Sequence, residues 1–599
     1  RYIGDWSSDV CSSDLTPAAR GLPSLPSRCG PMWRAGLRSS AAGASRPRTR
    51  RGLTATATSR GCPFSLPPDP LKWRLAAPAT TTQAEWPRRT PSMTSKPSHA
   101  APARRKKGSQ PAADPAFVAV LLQQGRSLAA AGRDEEAVET AKLLIGLDQS
   151  REARDFFVDC VKGWTYFPGA ENLRDVFVRA LREAWARPSV LFGIAFGILE
   201  RSPVIGPAMR RAAAAWPRRV PLDELLGAGG LAALSDDDLL FALLETEKTF
   251  GLDPERFLTS LRAGLLQLAT DKRSRDDQTP VRLACALARQ CYINEYIYDV
   301  QPDETERAAA LRARIARALA NKGLVSPLEL AVAAAYAPLD GLPADAILKR
   351  TWPTRFAGLI EQQIRGPMAE RRQRASIPRI TPIADETSLK VQSQYEENPY
   401  PRWTSLPSAP RSMPIDDWFR TFFPMANYKP SGKAPGLDIL IAGCGTGQHS
   451  IMFAQSYPGA KVLAIDLSLA SLGYAKLKTR EMELANIEYA QADILELGSL
   501  NRNFDVISSG GVLHHLADMM AGWRVLLSLL RPGGCMHIAL YSELARRSVV
   551  SGREFIARRG FAASDIPRAR QELIAAAAEN TALKGVLEDR KSTRLNSSH

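Results

Sequence analysis

Cysteine is scarce in this chain: eight in 599 residues, at Cys11, Cys29, Cys62, Cys160, Cys285, Cys291, Cys444 and Cys535. None forms a C-x-x-C pair, which removes the sequence basis for a zinc site or a disulfide framework. Scattered thiols point to a reducing setting and hence to the cytoplasm. Long apolar runs are missing too. The longest, 190–199, is interrupted by Gly193 and Gly197 and is too short to span a bilayer, so no membrane partner is expected. Acidic residues are nearly absent from the first 110 positions, which hold 19 Lys and Arg against five Asp and Glu. That tract carries +14 of the formal +17 and leaves the rest close to neutral. A basic balance ordinarily suggests nucleic acid; confined to one tract, it makes nucleic acid an unexpected partner of the folded part.

Two stretches fit no domain. Residues 1–15 and 591–599 resemble translated sequencing adapter and are set aside as artefact-like. Residues 1–114 as a whole, rich in Pro, Ser, Ala and Arg without apolar periodicity, are expected to be disordered or non-native. A transit peptide and a nucleic-acid-binding tail compete with the reading adopted, translation upstream of a start at Met93.

Residues 115–376 are punctuated as helices. Leu122, Gly125, Leu128, Gly132, Arg133, Glu136, Ala137 and Ala141 follow the small-residue spacing of a tetratricopeptide helix pair, with a fainter second unit over 152–185. Ser235 to Asp238 is a capping signal before Leu239, Leu240, Leu243 and Leu244, with Gly251 as the stop. Asp253-Pro254 reads as a helix start, and Ser326-Pro327-Leu328-Glu329 as another. Tyr292, Glu295 and Tyr296 are expected on one helix, as core or as a groove. Residues 377–433 form a linker. Its run from Gln394 to Trp403 contains Asn398-Pro399 and Tyr400-Pro401, which forbid a continuous helix and suit a rigid interdomain strap or a lid over a pocket.

The organising stretch is 438–447. Ile439, Leu440, Ile441 and Ala442 suit a strand covered on both faces; Gly443, Gly445 and Gly447 follow, then a helix from Gln448. Strand, glycine turn and helix open a nucleotide-binding βαβ unit. A second strand over 461–465 ends in Asp466, where an acid can accept from both ribose hydroxyls. Further strands are expected at 487–490, followed by Asp493, and at 504–508, followed by Ser509, Gly510, Gly511, Val512, Leu513, His514 and His515. A helix striped by Met519, Trp523, Leu526 and Leu530 stops at Arg531-Pro532-Gly533-Gly534, and a fifth strand runs over 535–540. The third glycine of a dinucleotide fingerprint would fall at Gln448, which disfavours a nicotinamide cofactor.

With G-x-G-x-G, the Leu-Arg-Pro-Gly-Gly turn and the Val-Leu-His-His run, residues 438–541 resemble class I S-adenosylmethionine-dependent methyltransferases. The strap and upstream helices extend the likeness to bacterial methyltransferases with a tetratricopeptide-like N-terminal region. The resemblance implies a multidomain chain: an all-α region, then a Rossmann-like α/β domain over 434–590. No candidate for that fold's last two strands is evident, so the domain is expected to be incomplete. S-adenosylmethionine is the implied cofactor. Gly443, Cys444, Gly445 and Gly447 would face its adenosine and methionine portions, Asp466 and Leu467 the ribose, and Ala492, Asp493 and Ile494 the adenine. Ser509 and Gly510 would floor the space below the sulfonium. An acid two positions before the first glycine is usual; here Ile441 stands there, leaving Gln448 or His449 to anchor the methionine end.

Methyl transfer from a sulfonium is an in-line displacement in which the protein mainly aligns the partners. No obligatory catalytic set or metal is therefore expected. His514 is the candidate base, against a packing or ligand-shaping role. The acceptor is unidentified, with a protein partner conceivable through the helices. The alternative is a helical-repeat interaction protein whose Rossmann-like domain binds the cofactor without turnover.

Overall fold

The computed structural model describes residues 114–248, 251–271, 277–407, 413–422, 424–425, 429, 436–561, 565–580, 583 and 585. The expectations for residues 1–113, including the start at Met93, and for 591–599 lie outside these.

Helices run from Pro115–Ala130 to Gly366–Arg374 and share one apolar core, from Leu121 to Ile364. Local chemistry sets many of their starts. Asp114 accepts from Ala116 N with Pro115 in the first turn, Asp237 accepts from Leu239 N and Leu240 N, and Ser326 with Glu329 forms a capping box around Pro327. The first two helices, Pro115–Ala130 and Asp134–Leu147, form a hairpin turned at Gly132 (φ +76°). Ala137 and Ala141 are buried in it. A Cβ on Gly125 would lie 2.5 Å from Phe156 Cζ, so that glycine lets the third helix, Arg151–Val161, approach. Two helix boundaries differ from the sequence reading. Gly251 precedes the next helix, Leu252–Thr270, whereas the helix before it already ends at Thr246; Asp253 therefore lies inside the first turn. Tyr292 lies on the helix Val281–Ile293, but Glu295 (φ +59°) and Tyr296 (φ +58°) form a left-handed turn beyond it.

The second layer system is a five-stranded, all-parallel sheet in the order β3-β2-β1-β4-β5: β1 Asp438–Ala442, β2 Lys461–Asp466, β3 Ile487–Gln491, β4 Phe504–Gly510 and β5 Leu530–Ala539. Alternation along the strands sends Ile439, Ile441, Val462, Ala464 and Val506 into one core and Leu440, Ala442, Leu463, Ile465 and Ile507 into another. Both faces are covered, as continuous apolar strands require. The helices Gln448–Ser456 and Leu469–Glu481 supply Ala454, Leu472 and Ala475 to the first core, and Met519–Ser528 supplies Leu526 to the second.

The fifth strand is longer than expected and starts earlier. Phe504 pairs with Leu530 and Val506 with Cys535, so Arg531, Pro532, Gly533 and Gly534 bulge out within β5 rather than ending the helix before it. Arg531 holds the bulge against the sheet by donating to Asp505 (2.6 Å) and Asp438 (2.8 Å). Among the described residues, β5 is followed by helices Arg547–Arg559 and Ile566–Glu579 and no further strand.

Between helices and sheet, Pro378 and Ile380 pair with Gln491 at the open side of β3. The helix Glu386–Glu397 follows and ends before Asn398-Pro399. No single described helix is long and apolar enough to cross a membrane; one bent pair, Pro188–Glu200 with Ile205–Ala215, passes by length and composition together.

Candidate functional site

In an open parallel sheet the ligand crevice lies beyond the carboxyl ends of the strands, where strand order reverses. Here that point is between β1 and β4. The chain doubles back after β1 with Gly443 N and Cys444 N both donating to Ile465 O (2.9 and 2.8 Å). All three glycines of the turn have positive φ. Gly447 has no alternative: at φ +87°, a Cβ would lie 2.5 Å from Ala475 Cβ.

Two carboxylates face the crevice. Asp466 Oδ2 accepts from Gly445 N (2.8 Å) and Oδ1 from Ser468 N (2.9 Å). Burial raises its pKa, and these N–H groups oppose the rise by favouring the charged form. Asp493 is buried; its Oδ1 accepts from Leu495 N (3.0 Å), while Oδ2 has no hydrogen-bond partner among the described residues. An acceptor held out of water without a donor is costly, so a ligand donor there relieves the site.

A strap closes the crevice. Ser388, Val391, Tyr395 and Tyr400 form one wall, opposite Gly443, Gly445, Asp466, Leu467, Ala492, Asp493 and Ile494. The strap is tied down at several points: Ser468 Oγ donates to Tyr395 O (2.9 Å), Thr446 Oγ1 to Pro401 O (2.6 Å) and Trp403 Nε1 to Thr446 O (3.2 Å). Glu396 accepts from Ala470 N (3.1 Å) at the start of the helix Leu469–Glu481. The enclosed space is about 60 Å³, below the roughly 300–1,000 Å³ of ligand pockets. Holding a nucleotide-sized ligand therefore requires this space to widen. A larger cavity of about 630 Å³ lies along the outer edge of β3, lined by Ile487 and Arg502 among others. Its lining includes Glu483 and Glu488 but no glycine turn, and it lies beside the strand rather than beyond its end.

Several expected residues are elsewhere. Cys444 packs in the sheet core with Ile441 and Ala475, and burial raises its thiol pKa. Gly447 begins the following helix without lining the crevice. Ser509 and Gly510 are replaced in the wall by Gly511 and Val512, because β4 continues through Gly510 and the chain turns inward only after it. His514 does not reach the crevice. Its ring lies 3.7 Å from that of Tyr541, and burial pushes its pKa down to about 3. Its neighbour His515 lines the crevice instead, buried, with Nε2 unpartnered among the described residues and its pKa pushed down to about 4, first by burial and then by Arg546. One turn of 3₁₀ helix, Leu513–His515, aims the two rings differently. Gln448 and His449 are likewise not in the wall; His449 packs on Phe453 and His537. Tyr395, Tyr400 and His515 were not singled out from sequence as site residues. The Tyr-Pro run was the one available signal for the strap. Among the described residues no three His, Cys, Asp or Glu side chains are grouped to hold a metal.

The comparisons with known proteins fall on this part of the chain. Residues 439–534 match a family model described as a methyltransferase domain. A protein of Synechococcus sp. described as uncharacterised is 34% identical over 179 residues, 29% of this chain and 42% of its own length. The demethylmenaquinone methyltransferase of Lactococcus lactis is 34% identical over 107 residues (18% of this chain, 42% of the relative). The trans-aconitate 2-methyltransferase of Deinococcus radiodurans is 35% identical over 106 residues (18% and 38%). The chain thus spans about two fifths of the length of these curated relatives. Among solved structures, PKMT2 from Rickettsia typhi in complex with AdoHcy is 23% identical, with a TM-score of 0.25 over 29% of this chain and 34% of that one.

Proposed function

We propose, from a methyltransferase domain whose cofactor is S-adenosylmethionine, that this chain transfers a methyl group to an acceptor still to be identified. The observation that carries the reading is the crevice beyond β1, β2 and β3, where a glycine turn, Asp466 and the unpartnered Oδ2 of Asp493 meet. The residues fit the cofactor. The turn leaves no Cβ between backbone and ligand, Asp466 keeps lone pairs for two ribose hydroxyls beyond its backbone partners, and Asp493 Oδ2, unpartnered among the described residues, would accept from the adenine amino group. Ala492 and Ile494 lie beside it in the same wall.

S-adenosylmethionine supplies a methyl already activated on sulfur. The chain's own work is alignment and exclusion of water, and the strap from Ser388 to Trp403 performs the second. His515, neutral near pH 7, can accept a hydrogen bond and adds no positive charge to a crevice that would hold a sulfonium. His514, packed on Tyr541, serves to shape that wall.

The helical region, tetratricopeptide-like in the spacing of its first hairpin, selects the acceptor or a protein partner, and the protein works in the cytoplasm. Incubating it with tritiated-methyl S-adenosylmethionine and a cell extract tests the activity. Label passing to an extract component, and lost in Asp493→Ala, supports transfer. Cofactor binding with no label above the boiled control contradicts transfer and leaves a binding protein.

A further inference from the structure

The cofactor crevice is not built by the sheet domain alone. Tyr400 is the link. Its carbonyl oxygen would stand 3.3 Å from a Cβ placed on Gly445, so its backbone rests on the glycine turn, and the residue lines the crevice. Its ring also meets the helical region: Lys248 Nζ lies 4.8 Å from the ring centroid. Lys248 follows the helix Asp238–Thr246 and is only 8% exposed. An ammonium taken that far out of water needs compensation, and this aromatic face contributes to it.

Two further contacts bind the same strap segment to the same helices. Thr404 Oγ1 donates to Thr246 O (2.7 Å). Arg402 Nη1 donates to Tyr292 OH (3.3 Å), with the guanidinium 5.3 Å from that ring's centroid. The strap is thus fastened to the glycine turn on one side and to the helical region on the other.

We infer that Lys248 is a positioning residue of the cofactor site, acting through Tyr400 from the helical region. By gripping the Tyr400 ring it keeps that residue in place in the crevice wall, so that the helices set how tightly the cofactor is held. The inference rests on the cofactor reading above.

The test is calorimetric titration of S-adenosylhomocysteine into the full chain, its Lys248→Met and Lys248→Arg variants, and Thr404→Val. Lys248→Met keeps the stem and removes the charge. It should weaken binding by about tenfold, as a desolvated cation–π contact implies, with the melting temperature unchanged. Lys248→Arg should restore most of that loss, and Thr404→Val should weaken binding by a few fold. Affinity unchanged in Lys248→Met, or a loss of affinity and melting temperature together that arginine does not rescue, would overturn the positioning role while leaving the cofactor reading intact. Absence of saturable binding in the unmodified chain would remove both.

Discussion

At the scale of single residues, Gly447 carries two constraints at once: a left-handed backbone and a neighbour, Ala475, already in contact. Gly447→Ala is therefore expected to destabilise the fold by about 2–4 kcal/mol, combining backbone strain with overpacking. Urea unfolding checks this as a lower midpoint at constant m-value; a change under 0.5 kcal/mol would show that the turn relaxes freely.

The histidines yield a pH prediction. Burial, the leading cause in each case, pushes His449 and His514 down to about 3 and His515 to about 4. Their folded pKa values lie below the ordinary 6.5, so the unfolded chain binds more protons in the interval. Stability is then complete above about pH 6.5 and falls on acidification toward pH 4, by up to about 1.4 kcal/mol per pH unit for each imidazole. Asp466 acts in the opposite sense: its raised pKa favours the fold below the usual carboxylate range and fades as pH rises. Three imidazoles outweigh one carboxylate. The melting temperature should drop by several degrees between pH 6.5 and about 4.5, and a flat profile would contradict the burial of these rings.

Residues in the wall of the crevice were legible where a local rule reaches them. Asp466 and Asp493 close buried strands at fixed distances from the glycine turn, so strand length and spacing locate them. Tyr395, Tyr400 and His515 obey no such rule. The tyrosines come from a segment more than 40 residues upstream, and His514 and His515 differ only in where a single 3₁₀ turn aims them. Ser509 lies inside β4, and nothing in its neighbours says that the strand runs on through Gly510.

Elements repeat the pattern. Helix starts marked by Asp237 or by Ser326 with Glu329 were readable because one side chain satisfies the first backbone N–H groups. The start of β5 was not, since Arg531-Pro532-Gly533-Gly534 has the composition of a turn. Only Asp438 and Asp505, from other strands, make it a bulge inside the strand.

The helix Ile566–Glu579 adds a contact that sequence could not show. Arg570 Nη2 donates to Glu255 Oε2 (2.7 Å) on Leu252–Thr270, with both side chains buried. Removing one partner leaves a buried charge. Arg570→Ala should cost about 3–5 kcal/mol, whereas replacing both with apolar residues of similar volume should be near neutral. Chemical denaturation of the single and double variants distinguishes them, and equal losses in both would contradict a desolvated pair.

For the whole molecule, the central claim is that helices, strap and sheet close around one nucleotide site beyond the strand ends. The measurement nearest to that claim is the affinity of S-adenosylhomocysteine for the full chain against Asp466→Ala, by calorimetry. Asp466 is held in place by Gly445 N and Ser468 N, so its loss removes a charged acceptor at the place where the ribose would lie. A charged hydrogen bond is worth about 1.5–3 kcal/mol. The account predicts one saturable site, weakened roughly tenfold to a hundredfold by the substitution. Equal affinity in the two proteins would place the cofactor away from this crevice and contradict the account.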